Sequence, residues 1–325
     1  MISNENISVS IIVPCYNCAK IVEETLESLQ KQTYKNFETI CINDGSTDNT
    51  LNILNDWVSK RTLNIKIVDK ENGGVSRARN DGIALAKGRY ILFLDADDIY
   101  HEEFVERMLE AVQQENGDTA YCRLTRNLEK VRELKIDGFV YLNQTQNQAM
   151  DKLHFEMDQY GFYCYIYRKD IIDKFGIRFT DGLKYFEDRE FNWKYLCHCN
   201  KIAWIDEPLY GYRVTENSAI GKKTSWERCT SSLSAVKRVE QYLEDNKCEY
   251  VPILKTYLYH RVIWTTLKNT AISRDKELFR HLIREYDVRT SMKRTAKDSN
   301  KLVKLASILY LIHPNLFYYI VGLKK

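Results

Sequence analysis

The chain has 325 residues, of which 44% are hydrophobic and 12% aromatic, with only 13 glycines and 4 prolines. This composition is typical of a folded globular protein and excludes a largely disordered one. The 48 lysines and arginines nearly balance 45 acids, and a net charge of +3 is too small to indicate a nucleic-acid-binding protein. Nine scattered cysteines, without a signal-peptide pattern at the start, lead us to expect reduced thiols in the cytoplasm.

The first hundred residues alternate between two periodicities. Four short apolar runs, most of them rich in β-branched residues, are each followed by an amphipathic pattern of helical period. The predicted strands are residues 8–14, 37–44, 64–69 and 89–95, and the predicted helices begin at Ile21, Thr50, Val75 and Phe104. This alternation predicts a doubly wound α/β domain with a mostly parallel central sheet and flanking helices.

Polar clusters follow all four predicted strands, at the point where each one ends. They are Tyr16 with Asn17, then NDGSTD from Asn43, ENGG from Glu71 and DADD from Asp95. Ligands of open parallel sheets bind outside the carboxyl ends of the strands. The four clusters therefore predict one binding crevice.

The pattern changes along the rest of the chain. Beyond Gly117 short apolar runs are mixed with charged turns, and residues 186–198 predict a helix. From about Trp226 the chain predicts helices throughout. We therefore expect a main domain over residues 1–218 and a helical C-terminal region over residues 219–325.

The C-terminal region is more basic than the rest of the chain, with KRTAK at 293–297 as its densest cluster. Its last apolar stretch, from Leu305, is split by His313, Pro314 and Asn315 and is too short to span a membrane. Two packed helices explain this stretch. A segment that lies on a membrane surface is the alternative, because aromatic residues and a terminal lysine pair suit an interface.

Three aspartates end the most apolar predicted strand. Asp95, Asp97 and Asp98 place carboxylates on a rigid strand end, where their mutual repulsion is costly unless a cation offsets it. Oxygen ligands favour hard divalent ions, so the pattern predicts Mn²⁺ or Mg²⁺ together with a phosphate-bearing substrate. An acidic N-cap for the next helix explains one of the aspartates but not all three.

Cys15 and Cys18 have the C-x-x-C spacing of redox and zinc sites. Cys197, His198 and Cys199 could join them, but adjacent thiols on a helix cannot all face one ion. Small buried residues explain these cysteines better. A thiol redox or zinc protein centred on Cys15 and Cys18 stays open as an alternative function.

Five motifs occur in a family-like order and spacing. They are PCYN from Pro14, INDGSTDNT from Ile42, GGVSRARNDGI from Gly73, ALAKGRYILFLDADD from Ala84 and FEDREF from Phe186. Together they resemble the inverting nucleotide-sugar glycosyltransferases of family 2, which have the GT-A fold. The resemblance covers about residues 7–218.

The resemblance implies roles for the residues that match the motifs of the family. Positions matching Pro14, Tyr16 and Asp44 hold the nucleotide base, usually uracil, and Arg79 with Asn80 shapes the nucleotide and diphosphate site. Asp95 and Asp97 match the D-x-D pair, the first near the ribose and metal and the second a metal ligand, and Asp98 supports them.

The resemblance also implies a catalytic base in FEDREF. Glu187 and Asp188 match a Glu-Asp pair in which the aspartate commonly accepts the proton of the acceptor hydroxyl, with Glu187 in support. Arg213, in LYGYRVTENS, matches an arginine near the diphosphate. Relatives often carry a metal-binding histidine nearby, and this sequence has none between Leu209 and Ser218.

The function implied is a metal-dependent inverting transfer of a sugar from a UDP-sugar to a hydroxyl of a glycan or lipid-linked oligosaccharide. Surface or capsular polysaccharide synthesis is the expected context. We expect a cytoplasmic protein, with its C-terminal region as a candidate contact with the inner face of the cell membrane. A noncatalytic sugar-nucleotide binder is a further alternative.

Overall fold

The structure is a computed structural model and describes residues 7–114, 116–136, 138, 140–155, 160–214, 225–298 and 300–323. The chain divides into two compact units. Unit 1 comprises residues 1–182 and 187–214, and unit 2 comprises residues 183–186 and 215–325. The predicted boundary near Ser218 lies outside the described residues, so the division into domains at that position stays a prediction.

Unit 1 contains a nine-stranded sheet. Its strands are β1 (Val9–Cys15), β2 (Phe37–Asp44), β3 (Ile65–Lys70), β4 (Tyr90–Phe93), β5 (Ile99–Tyr100), β6 (Thr119–Thr125), β7 (Tyr141–Gln144), β8 (Tyr165–Arg168) and β9 (Ile202–Gly211). The strand order is β3-β2-β1-β4-β8-β6-β9-β5, and β7 pairs with β9. All residues of β1, β2 and β4 are buried, as expected for strands covered on both faces.

The first four strands form a parallel half-sheet, as the sequence predicts. From β1 the chain winds outward to β2 and β3 and then returns to place β4 on the other side of β1. The strand order reverses between β1 and β4, and their carboxyl ends frame the crevice in which open α/β sheets bind ligands. The later strands are mixed in direction, since β8 is antiparallel to both β4 and β6.

Helices alternate with the strands of unit 1. They are α1 (Val22–Gln30), α2 (Thr50–Lys60), α3 (Val75–Leu85), α4 (Phe104–Gln114), α5 (Leu128–Glu133), α6 (Gln146–Phe155), α7 (Lys169–Lys174) and α8 (Glu187–Leu196). The first four begin within one residue of their predicted starts. β4 is shorter than predicted because the chain turns after Leu94, and the turn is closed by Asp98 N donating to Asp95 O at 3.0 Å.

An aromatic cluster lies beneath the carboxyl end of β4. The ring of Phe93 lies 5.5 Å from that of Phe162, 5.4 Å from Phe179 and 5.7 Å from Phe191. Phe179 and Phe191 stack with centroids 4.2 Å apart. Because these rings are fully or nearly fully buried, they fix the last residue of β4 and hence the start of the aspartate turn that follows it.

From Trp226 onward the described residues of unit 2 are mainly helical. It contains α9 (Trp226–Asp245), α10 (Val251–Ile272), α11 (Lys276–Glu285), α12 (Val288–Thr295), α13 (Lys301–Ile312) and α14 (Pro314–Val321). The start of α9 and the break between α13 and α14 agree with the sequence prediction. Within the described ranges, no helix combines the length and apolar character needed to cross a membrane.

Candidate active site

The turn after β1 presents an aromatic side chain to solvent. Tyr16 is 54% exposed, although the strand before it is buried. Pro14 lies beyond the part of β1 that pairs with β4, which ends at Ile12, and a proline without an N–H is tolerated there. Tyr16 is thus an open ring at the switch point of the sheet, which agrees with the prediction of a base platform but does not test it.

Side chains connect the turn after β1 to the turn after β2. Asn17, in the left-handed conformation at φ 48°, accepts from Thr47 N at 2.8 Å and donates its own N–H to Ser46 Oγ at 3.0 Å. Cys18 N donates to Thr50 Oγ1 at 2.9 Å. The polar residues of NDGSTDNT therefore hold the Tyr16 turn in place.

Asp44 connects the end of β2 to the loop before α3. Its carboxylate oxygens accept from Gly73 N at 2.9 Å and Gly74 N at 2.8 Å, and the side chain is nearly fully buried. Gly45 has φ 70°, and a Cβ there would lie 2.7 Å from Asn72 N. Asp44 was predicted to accept from the nucleotide base, and both of its oxygens already order the neighbouring loop.

The three aspartates after β4 differ in their surroundings. Asp95 and Asp97 are partly exposed, whereas Asp98 is fully buried. Asp98 accepts from Tyr210 Oη at 2.6 Å and from Arg213 N at 2.7 Å. Thr25 Oγ1, on α1, donates to the carbonyls of Ala96 and Asp98 at 2.9 and 2.8 Å. Asp98 thus anchors the turn, and Asp95 and Asp97 remain as its accessible carboxylates.

Arg213 lies against the same turn. Its Nε donates to Asp97 O at 2.8 Å, and its guanidinium also pairs with Glu24 on α1. The guanidinium is therefore near the aspartate turn, as predicted, but it is held by the chain itself. Contact of Arg213 with a diphosphate stays a prediction.

Arg79 joins the aspartate turn to the start of α8. Its Nη2 lies 2.9 Å from Asp95 Oδ1 and its Nη1 lies 3.3 Å from Glu187 Oε1, with the side chain only 5% exposed. The guanidinium carbon lies 4.3 Å from the Phe162 ring centroid and 5.2 Å from that of Phe179. The aromatic cluster beneath β4 therefore also holds the cation that connects the two acidic groups.

Asn80 follows Arg79 on α3, and its side chain binds the backbone of Phe179. Its amide donates to Phe179 O at 2.8 Å and accepts from Phe179 N at 2.9 Å. This pair of bonds places the Phe179 ring over Arg79. Asn80 therefore acts through Phe179, and its predicted contact with the nucleotide stays untested.

Glu187 and Asp188, the acidic pair that contains the predicted general base, are the first two residues of α8. Burial, followed by the charge of Asp188, raises the pKa of Glu187 to about 7, even though Arg79 opposes the shift. Asp188 is half-buried in the first helical turn, and its Oδ1 accepts from Arg189 N at 2.7 Å. The residue before Glu187, Phe186, has φ 76°, an unusual conformation for an aromatic residue. The two carboxyl groups therefore differ in their partners, since Glu187 pairs with Arg79 and Asp188 accepts from a backbone N–H.

Asp95 and Asp97 have the donor chemistry for a divalent cation. Burial and the charge of Asp95 raise the pKa of Asp97 to about 6, so a cation at this pair would offset a real electrostatic cost. Among the described residues, no three His, Cys, Asp or Glu side chains group as a metal site. A cation here would need further ligands, and the phosphate oxygens of a nucleotide are of the right kind.

The cysteines of the alternative hypothesis are free thiols. Cys15 and Cys18 are both buried, and hydrogen bonding to Cys18 and Cys41 together with burial raises the pKa of the Cys15 thiol. A raised pKa makes Cys15 a poor nucleophile, whereas the hydrogen bond from Cys15 lowers the pKa of the Cys18 thiol. His198, which was considered as a zinc ligand, stacks on Phe175 with ring centroids 3.5 Å apart. These surroundings favour packing roles.

Sequence reasoning missed several residues that build the site. They are Glu24 beside Arg213, Thr25 and Tyr210 on the aspartate turn, and Phe162 and Phe179 on Arg79. The two residues of each hydrogen-bonded pair are 71 to 189 positions apart in the sequence. No local pattern signals such pairings. The buried carboxylate of Asp98 was at least suggested by a third acid beside a D-x-D pair.

Comparison with known proteins identifies the family to which this chain belongs. The pattern of the family described as "Glycosyl transferase family 2" matches residues 10–176, slightly more than half of the chain. The chain belongs to glycosyl transferase family 2. The matched region thus contains β2 to β8 and all of β1 except Val9, and the predicted family is confirmed.

One curated relative and two solved structures extend this finding. The uncharacterized glycosyltransferase EpsJ of Bacillus subtilis (strain 168) is 32% identical over 215 residues, which are 65% of this chain and 62% of EpsJ. S. aureus TarS 1–349 in complex with UDP-GlcNAc matches with a TM-score of 0.65 at 20% identity, over 97% of this chain and 90% of that one.

The second structure is the mannosyltransferase PcManGT from Pyrobaculum calidifontis, in complex with GDP-Man and Mn²⁺. It matches with a TM-score of 0.61 at 13% identity, over 99% of this chain and 88% of that one. At these identities the two structures show the fold alone. The predicted GT-A fold, with additional C-terminal helices, is confirmed.

Proposed function

We propose that this chain is an inverting glycosyltransferase that moves a sugar from a UDP-sugar to a hydroxyl of a glycan or lipid-linked oligosaccharide. The observation that carries the proposal is the shared guanidinium of Arg79, which holds Asp95 of the donor side and Glu187 of the acceptor side in one buried arrangement. TarS, a protein of the same fold, binds UDP-GlcNAc. Family membership and this site together support a nucleotide-sugar donor.

On the donor side, Tyr16 packs on the uracil ring, and the turn that Asp44 orders supports the nucleotide. Asp95 and Asp97 would hold Mn²⁺ or Mg²⁺, which when bound neutralises charge on the diphosphate leaving group. Mn²⁺ is present in the complex of PcManGT, which has the same fold. Arg213, which is bound to the aspartate turn, adds positive charge at the same place.

On the acceptor side, Asp188 is the general base. The acceptor oxygen attacks the anomeric carbon as its proton passes to the Asp188 carboxylate, and the bond from the anomeric carbon to the phosphate oxygen breaks. UDP leaves with the electron pair of that bond. Displacement from the face opposite the leaving group inverts the anomeric configuration. Glu187 positions this end of α8 through its ion pair with Arg79.

The acceptor class is proposed from the family resemblance. A hydroxyl on a growing surface or capsular polysaccharide, free or lipid-linked, is the proposed nucleophile. The thiol redox and zinc alternatives are less well supported, because Cys15 and Cys18 are buried free thiols and no three metal-binding side chains group together among the described residues.

A donor screen with base variants tests the proposal. The full chain is incubated with UDP-glucose, UDP-galactose, their N-acetyl forms and UDP-glucuronate, with and without Mn²⁺, and UDP release is measured. Asp188→Asn should lower turnover by about 10²- to 10⁴-fold and leave the Kd for UDP unchanged. Asp181→Asn, an exposed acid that pairs with Arg77, serves as the matched control and should keep full activity.

Two results would overturn parts of the proposal. Turnover of Asp188→Asn at the wild-type rate would exclude Asp188 as the base. A product whose anomeric configuration equals that of the donor, as measured by NMR coupling constants, would exclude inversion. A chain that binds UDP but turns over no donor would favour the noncatalytic binder instead.

A further inference from the structure

Helix α13 presents apolar side chains to solvent. Leu302 is 61% exposed, Leu305 58%, Ile308 38% and Ile312 68%. Their spacing of three or four residues places them on one side of the helix, opposite the buried Val303, Ala306, Ser307 and Tyr310. We call these four exposed residues the α13 face. An apolar stripe normally turns toward the core, so this outward one requires an explanation.

Helix α14 repeats the arrangement. Leu316, Tyr319 and Ile320 on the helix and Leu323 just after it are 40%, 49%, 43% and 73% exposed, while Phe317 and Tyr318 are buried. We call these four exposed residues the α14 face. The two helices pack on each other, with the rings of Tyr310 and Phe317 6.0 Å apart. Each helix therefore has a filled inner side and a separate apolar outer side.

The two faces dominate the exposed apolar residues of the protein. Eight of the fifteen large hydrophobic side chains that are exposed in the described part of the chain lie between residues 302 and 323. The other seven are distributed over the rest of the described chain. Scattered exposed residues are ordinary, whereas a local concentration of this kind marks an interaction surface.

A cationic row adjoins the α14 face. Lys276, Arg280 and Arg284 follow one another at four-residue spacing on α11 and line a common open groove, with Glu277 as the one acid and Ile283 as the apolar residue of its lining. Lys276 Nζ donates to Tyr319 Oη at 3.1 Å and lies 5.6 Å from the centre of the same ring. Tyr319 thus joins the apolar face to the cationic row. An aromatic ring with its hydroxyl beside a lysine is an arrangement suited to the boundary between lipid and water.

The charges on α13 and α14 have one sign. The sequence from residue 299 to 325 contains four lysines and no aspartate or glutamate. Lys301 and Lys304 are exposed beside the α13 face. A surface made of apolar side chains, lysines and no acids is complementary to a membrane that carries negative charge.

We propose that α13 and α14 form a membrane-docking surface that lies on anionic phospholipid. The apolar faces enter the boundary between headgroups and acyl chains, and Lys276, Arg280, Arg284 and the lysines of α13 contact the headgroup phosphates. The inference does not depend on the proposed transferase reaction, since binding is measured without donor or acceptor.

A second copy of the chain is the competing occupant of this surface. In a two-fold symmetric pair the same patch meets itself, so Lys301 and Lys304 would approach their own copies with no acid on these helices to pair with. Like charges at such an interface weaken association. An anionic lipid surface can contact both the apolar and the cationic residues, and it is therefore the proposed occupant.

Vesicle sedimentation with the full chain tests the proposal. Sucrose-loaded vesicles of phosphatidylcholine alone are compared with vesicles that contain about one-third phosphatidylglycerol. The wild-type chain should partition at least about tenfold more strongly into the anionic vesicles. The variant Leu305→Gln/Ile312→Gln/Ile320→Gln should lose at least about tenfold of that partitioning, because it removes apolar contact.

Two further variants separate charge from apolar contact. One is the charge variant Lys276→Gln/Arg280→Gln/Arg284→Gln. It should partition into anionic vesicles at least about tenfold less than wild type, and its partitioning into neutral vesicles should change little. Val140→Gln/Leu142→Gln is the matched control, because both residues are exposed apolar side chains elsewhere, and it should bind as wild type does. Circular dichroism confirms that each variant is folded.

Clear outcomes would overturn the proposal. One is a wild-type chain that stays in the supernatant with both kinds of vesicle. Another is equal sedimentation of the wild type and the apolar triple variant. Sedimentation velocity without lipid supplies the third: a wild-type dimer that becomes a monomer in the apolar triple variant, without vesicle binding, would assign the surface to a second copy.

Discussion

Nη2 of Arg79, a side chain that is nearly fully buried, lies 2.9 Å from Oδ1 of the partly exposed Asp95. The same guanidinium pairs with Glu187, so one buried cation connects the D-x-D turn with the first turn of α8. Burial strengthens such pairs and also makes an unpaired partner costly. The separation between the carboxylates of the D-x-D turn and those of α8 therefore depends on Arg79.

Removal of this cation should damage both the fold and the reaction. Arg79→Met leaves Asp95 and Glu187 without their shared partner, and we expect it to lower the free energy of unfolding by about 3–5 kcal/mol. Activity should fall at least about 100-fold, because the two ends of the site lose their alignment. Urea unfolding and UDP-release assays measure the two effects.

Controls for Arg79 come from the same helix and the same ion pair. Arg77→Met, at an exposed position that pairs with Asp181, should behave nearly as wild type does. Arg79→Met/Glu187→Gln should recover part of the lost stability, since it removes one uncompensated charge. Strictly additive losses in the double variant would show that the two residues do not interact energetically.

The stability of the fold should depend on the protonation of Glu187. Its pKa rises from an ordinary value of 4.5 to about 7 on folding, chiefly because of burial. The folded state thus binds this proton more tightly, and the stabilisation is complete below the unfolded pKa and is lost as pH rises through about 7. Glu187→Gln cannot lose a proton, so its stability relative to wild type should increase from about pH 5 to about pH 8.

Thermal unfolding across this range measures the difference. A Glu187→Gln difference that does not change with pH would contradict the assignment of a raised pKa to Glu187.

Asp97 and Asp98 should respond oppositely to the same substitution. Asp97→Ala removes a carboxyl group whose pKa is raised to about 6 by burial and by the charge of Asp95. At about pH 8 without metal this carboxylate destabilises the folded state, so the variant should unfold at a higher temperature than wild type. It should also lose metal-stimulated UDP release by at least about 100-fold.

Asp98→Ala should instead lower the free energy of unfolding, because the loss of its buried hydrogen bonds outweighs the relief from removing a carboxyl group whose pKa burial also raises. The buried Tyr210 hydroxyl and the Arg213 amide would lose their acceptor, at a cost of about 1–3 kcal/mol for each unsatisfied group. Calorimetry in the presence of a chelator measures both variants. Equal changes in melting temperature for the two would contradict their division into an exposed metal-binding carboxylate and a buried anchor.

Gly45 should tolerate no side chain, for two separable reasons. Alanine at φ 70° carries a conformational cost of about 1 kcal/mol, and its Cβ would also approach Asn72 N to 2.7 Å. Gly182→Ala, at φ 72° with open space around it, carries only the first cost. We expect Gly45→Ala to raise the Kd for UDP at least about tenfold by displacing the loop that Asp44 orders. Calorimetric titration with UDP should show no such change for Gly182→Ala.

The sequence was sufficient for the elements that local periodicity controls. The alternating runs up to residue 114 predicted four strands and four helices, and Pro314 correctly marked the break between α13 and α14. Motif order led to the family and the GT-A fold. Polar residues at the carboxyl ends of β1, β2 and β4 followed from the rule for parallel sheets, which depends on topology alone.

Side-chain partnerships could not be obtained in this way. Arg79 was assigned to the diphosphate site, yet its observed neighbours are Asp95, Glu187 and two aromatic rings. Glu187 is 108 residues away along the chain, and only the packing around Phe93 brings it near. The positive φ of Phe186 was equally inaccessible, because aromatic residues carry no local preference for that conformation.

The hydrogen bonds between the turns have a consequence for exchange of amide protons with solvent. Asn17, Gly73 and Gly74 belong to surface turns, yet their N–H groups donate to side chains that follow or end β2. Opening any one of these turns requires a neighbouring strand end to loosen as well. Their amides should therefore exchange more slowly than those of ordinary surface turns, and the crevice at the carboxyl ends of β1 and β2 is formed before a ligand arrives.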